Sequence, residues 1–146
     1  MEYRMTDALT AISALPHAMP AGPGARLALF AFRRLGAHGL DDAVAAQAML
    51  TAFGQGFRRP LVLMRAMMAD LAASAVAPIA IAPCCCVRTT HAEHAMLIVL
   101  ARAETAPDSA RLLLADLLGV RHADGVFACV MAVATAFADT GRPIEV

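Results

Sequence analysis

Three cysteines stand side by side at Cys84, Cys85 and Cys86, and His91 and His94 follow closely, in the stretch IAPCCCVRTTHAEHAM over 81–96. Thiolate and imidazole are the ligands that soft and borderline metal ions select, and thiolates are also the nucleophiles of redox chemistry. If residues 84–86 run extended, successive side chains alternate, so Cys84 and Cys86 share one face while Cys85 takes the other. His91 and His94, three apart in the first turn of a helix, share a face of that helix. Cys84, Cys86, His91 and His94 are therefore a candidate Cys2His2 metal set, with zinc the possible ion. Their spacing, C-x-C-x4-H-x2-H, departs from the usual zinc pairs.

Neighbouring thiols offer a second chemistry, a strained vicinal disulfide or the capture of a thiophilic ion, favoured by a helix N-terminus close by. Cys86 nevertheless lies about four residues before the expected cap, outside the first turn where the dipole acts, and no Cys-x-x-Cys motif is present. The third reading has no chemistry in it. Reduced cysteine behaves as a small buried hydrophobe, and this triplet sits in IAIAPCCCV among Ile, Ala, Pro and Val. Of the three, composition favours the last, with Cys129 filling a gap in the final helix and no cofactor expected.

The remaining polar candidates carry less. His17, His38 and His122 fall near predicted loops or helix ends and read as solvated histidines, and Ser13, Ser74 and Ser109 lack a nucleophile-elbow motif. Arg33-Arg34 with Arg58-Arg59 form either an anion-binding patch beside a helix start or, as such residues more often do, partners for acids such as Asp41 and Asp42. With no catalytic signature among them, an enzyme is the less favoured class.

The elements that would position these groups are helical. Residues 1–23 carry Pro16, Pro20, Gly22 and Pro23 and read as a flexible arm, with a short helical turn at TDALTAIS; a helical domain fills 24–146. The first core helix runs from Gly24 to Gly36 or Gly39. Asp41 caps the second, whose apolar stripe is Val44, Ala48, Met49, Ala52 and Phe53, and GQG at 54–56 stops it. The third runs from Pro60 to Ala77, burying Leu61, Met64, Met67, Met68, Leu71 and Ala75. Pro78 and Pro83 bracket an irregular, buried connection. Thr90 and Glu93 form a T-x-x-E capping box that opens a fourth helix ending at Arg102 or Glu104. A fifth begins at Thr105 or Ala106 and ends at Gly119, and the last begins at Asp124. Its charge-free interior through Ala138 marks it as central. No strand alternation is seen, so the fold class is all-α, a single-domain orthogonal or up-down bundle of five to six helices.

Composition bounds the partners. The chain of 146 residues is 60% apolar and 16% charged, against roughly 45–50% apolar in ordinary globular chains. That excess points to more apolar surface than one protomer hides, hence a homo-oligomer, most simply a dimer. No run of about 18 uncharged apolar residues is present despite a mean hydropathy of +0.63, so no membrane span is expected. The N-terminus lacks a secretory pattern, which makes a cytoplasmic location and reduced thiols the default. Net charge is zero: seven Arg less three Asp gives +4 over 26–88, and four Arg less seven acids gives −3 over 89–146. With that balance and one Tyr, nucleic acid is not an expected partner.

The segments GARLALFAFRRLGAHGLDDA, TAFGQGFRRPLVLMRAM, PIAIAPCCC and RLLLADLLGVRHADG are similar to a small alphaproteobacterial family of proteins of unknown function, over about residues 22 to 143. The resemblance implies a compact bacterial protein and assigns no activity, substrate or cofactor. The expected function is a non-enzymatic helical module that self-associates through apolar, alanine-rich faces. The alternative is a soft-metal-binding or thiol-redox protein using Cys84, Cys86, His91 and His94.

Overall fold

Proline and glycine mark both ends of two helices in a computed structural model of the chain, which describes residues 15–146. Helix α1, Pro23–His38, starts on a proline whose missing N–H has no intrahelical use there. It closes at Gly39, whose N–H reaches the Leu35 carbonyl at 3.0 Å. Helix α2, Ala43–Phe53, is capped by Asp42 and not by Asp41, as its neighbour had been expected to do. One carboxylate explains the shift: Asp42 accepts from the Ala45 N–H at 2.9 Å and is gripped by two Arg34 N–H groups at 2.9 and 2.8 Å.

Residues 54–56, expected to stop the chain, instead keep winding as a 3-10 turn over Gly54–Phe57 into α3, Arg58–Ser74. Pro60 still lies in the first turn of α3, where an absent N–H leaves no acceptor unmatched. The helix ends at Ser74, short of Ala77, because the Val76 and Ala77 N–H groups both turn to the Leu118 carbonyl, at 2.9 and 3.2 Å. Three helices follow: α4, His91–Arg102; α5, Pro107–Leu118; and α6, Asp124–Asp139. Gly119 ends α5 in the left-handed conformation, φ 73°, which glycine adopts without a Cβ clash.

The described residues thus form an all-α fold of six helices, with one addition the sequence had not signalled. His17–Ala18 (β1) pairs antiparallel with Arg88–Thr89 (β2), His17 opposite Thr89 and Ala18 opposite Arg88. Two-residue strands are too short to show any alternation. Of the arm expected over 1–23, residues 1–14 lie outside the described residues. The remainder is held by β1, by Arg88 donating to the Leu15 and Pro16 carbonyls at 2.9 and 2.8 Å, and by Arg26 donating to Pro20 at 2.7 Å.

The core is built where α3 and α6 pack together, with α4 and α5 against α6 and one another and α1 against α3 and α4. Met64 and Met67 of α3 share one buried cluster with Val126, Phe127, Val130, Val133 and Phe137 of α6. Phe53 stands edge-on to Phe137, centroids 5.2 Å apart. Ile144 folds back into this core, and Gly24 is where the returning tail crosses α1: a Cβ there would strike the Arg142 and Pro143 carbonyls. No helix among the described residues is long and apolar enough to cross a membrane.

Candidate functional site

The cysteine triplet is not extended. The Cys86 N–H donates to the Pro83 carbonyl at 3.0 Å, closing a tight turn with Cys84 and Cys85 at its corners. Alternation therefore fails, and Cys84 and Cys86 are not set on one face by strand geometry. Nor is the connection buried as expected: Cys85 is exposed, Cys84 and Cys86 are half-buried, and all three are free thiols. Two prolines and a turn keep this segment at the surface, so polar anchoring replaces apolar burial.

That anchoring is a buried ion pair. Arg33 of α1 and Glu93 of α4 are 1% and 0% exposed and meet twice, Nε to Oε2 at 2.7 Å and Nη2 to Oε1 at 3.1 Å. The rest of the guanidinium fork grips the loop, Nη1 on the Cys86 carbonyl at 2.8 Å and Nη2 on the Arg88 carbonyl at 2.7 Å. Glu93 meanwhile accepts from the Ala82 N–H at 3.2 Å and the Thr90 N–H at 2.9 Å, so the capping box and the ion pair share one carboxylate. Thr90 completes the cap, accepting from the Glu93 N–H at 3.0 Å, and its hydroxyl donates to the Ala80 carbonyl at 2.8 Å. Every charged atom has a partner, the condition under which a buried pair is tolerated.

The sequence had placed Arg33 in a possible surface patch. Its signal was helical: Arg33 follows Leu29 by four residues and Phe32 by one, inside the apolar stripe of α1, and an arginine there needs a buried acid. The other basic residues of that patch are largely neutralised as well. Arg34 pairs with Asp42, and Arg59 with Asp139 at 3.0 Å. The Arg34 hydrogen bond above all holds the Asp42 carboxyl down to about 2, although partial burial opposes it.

His91 and His94 do share the N-terminal face of α4, and the residue that joins them is His17. Its ring stacks on His94 with centroids 3.8 Å apart and planes 11° from parallel, and lies 5.9 Å from His91. β1 brings it there, so it is not a solvated loop histidine. Parallel stacking turns ring faces together, whereas a shared metal would need ring nitrogens aimed at one point. Among the described residues no three His, Cys, Asp or Glu side chains are gathered so as to hold a metal ion, and Cys84, Cys86, His91 and His94 do not close into one donor set. Burial first, then the His17 and His91 charges, push His94 below the usual imidazole range.

Cys129 is no inert filler. It is half-buried on α6 and donates its S–H to Asp70 of α3 at 2.9 Å. This hydrogen bond, followed by burial and the Asp70 charge, pushes the thiol up to about 11.

A further apolar feature lies on α2. Only Ala45 and Met49 of that helix are buried. Val44, Ala48 and Ala52, expected to face the core, line an open groove of about 710 Å³ with Phe30, Thr51 and Arg142, and Val44 is 46% exposed. Ala45 and Met49 take the inner side of α2, which leaves the stripe outside.

A family model described as a family of unknown function matches residues 7–117, well over half of the chain. Comparison with curated proteins and with solved structures gives no match.

Proposed function

The chain belongs to the family of unknown function DUF6628, and we propose that it is a non-enzymatic bacterial protein of the cytoplasm that works as a homodimeric interaction module, self-associating through α2. The observation that carries this is the apolar stripe Val44, Ala48 and Ala52 left at the surface, on a helix with no charged residue along its eleven positions. Exposed apolar stripes of this kind mark contact surfaces, and the small side chains let a second helix approach closely.

Charge favours a second copy as the occupant. Asp41 is exposed at the N-terminal end of α2, while Arg142 lines the groove near its C-terminal end and donates to the Ala52 carbonyl at 3.1 Å. An antiparallel, twofold pairing of two α2 helices sets the acidic end of each beside the basic end of the other, a self-complementary arrangement. Arg33, Arg34 and Arg59 each pair with an acid and the net charge is zero, so there is no basic excess, which supports a protein rather than a nucleic acid as partner.

The test is Ala48→Arg, which places a charge at the centre of the stripe on a half-buried, outward position. Light scattering should show the mass fall from dimer to monomer with the helical circular dichroism unchanged, while Ala66→Arg, on the exposed side of α3, keeps the dimer. A dimer that tolerates Ala48→Arg would refute the α2 interface.

A further inference from the structure

The corner formed by Cys84 and Cys85 combines exposure with rigidity. Its two flanks are tied to the buried pair, since Glu93 accepts from the Ala82 N–H before it and Arg33 donates to the Cys86 and Arg88 carbonyls after it. The tip itself carries free thiols, Cys85 exposed and Cys84 half-buried.

We propose that the Cys84–Cys85 corner is a capture site for monosubstituted trivalent arsenicals, a class of soft electrophile that binds paired thiols. Soft centres select thiolate over oxygen and imidazole ligands. Two sulfurs on adjacent residues of a pinned turn make the second bond to arsenic intramolecular, and the resulting effective concentration raises affinity by about 10²–10⁴ over one thiol. Donor number sets the class. A monosubstituted arsenical keeps one carbon and exchanges two hydroxyls, matching the two corner thiols, whereas ions that need three or four donors find no such cluster among the described residues.

The exchange balances without an oxidant. In R–As(OH)₂ plus two Cys S–H, two As–O and two S–H bonds break, two As–S and two O–H bonds form, and two waters leave; arsenic stays trivalent. One corner thiol attacks arsenic and displaces the first water, and its neighbour closes the ring and displaces the second. Nothing in this site depends on α2 or on self-association.

Phenylarsine oxide added to the reduced full-length protein tests it by intact mass. The expected product is a one-to-one adduct that survives excess monothiol and is released by a small dithiol. Cys84→Ser and Cys85→Ser should each lose at least about tenfold in apparent affinity, while Cys86→Ser and Cys129→Ser bind as the parent does, all four with parental circular dichroism. No adduct on the parent, full binding by Cys85→Ser, or loss of binding in Cys86→Ser would overturn the assignment.

Discussion

Glu93 caps its own helix and, with the same two oxygens, holds Arg33 sixty residues away in sequence at 2.7 and 3.1 Å, both side chains being buried. One carboxylate thereby fixes the start of α4, the inner face of α1 and the loop that carries the cysteines. Glu93→Gln keeps the shape and part of the cap but leaves the guanidinium uncompensated, and should cost about 3–5 kcal/mol in urea unfolding. The apolar double variant Arg33→Met with Glu93→Leu should not recover the loss. It strands the Cys86 and Arg88 carbonyls and the Ala82 N–H, at about 1–3 kcal/mol for each group left buried without a partner. Recovery of parental stability by that pair would show that the loop does not need the grip.

Acidification should loosen the β1 segment. His94 sits below the ordinary imidazole range because burial, then His17 and His91, disfavour its charge. Arg88 of β2 adds a cation to the same end, the α4 N-terminus is itself positive, and Glu93 is spent on Arg33. Across the groove beside His94 stand Arg102 and Glu145, an acid whose charge opposes that of the ring. The unfolded chain binds a proton to this residue near pH 6.5 and the folded chain only below that. The stabilisation is then fully present above about pH 6.5 and is lost as pH falls through the lower folded value. Denaturation midpoints should drop between about pH 7.5 and pH 5, and His94→Gln should flatten that part of the curve. An unchanged slope in the variant would remove His94 from the effect.

Thiol reactivity should divide unevenly. Cys129, held near 11 by its bond to Asp70, should alkylate far more slowly at neutral pH than the turn cysteines. Asp70→Asn removes the acceptor charge and should quicken Cys129 alone. Four thiols reacting in one phase would contradict the bond.

Features set by near neighbours were legible in the residues alone. The Thr90–Glu93 box, Gly119 as a stop and the Asp124 start each depend on a few adjacent positions, and all three stand in the structure. What could not be read is set by contacts distant in sequence. Nothing near Arg33 announces Glu93, and nothing near His17 announces His94. The alternation assumed for Cys84–Cys86 fails on a single Pro83–Cys86 hydrogen bond. The apolar stripe expected for α2 divides: Met49 is buried and Phe53 packs against the core, but Val44, Ala48 and Ala52 face the groove while Ala45 takes the inner position, a choice among apolar residues that the pattern did not make.

Sedimentation equilibrium of the parental protein across a micromolar concentration range bears on the α2 interface most directly. A reversible monomer–dimer distribution that shifts to monomer on Ala48→Arg is the predicted result. A single monomeric mass for the parent at every concentration would contradict it.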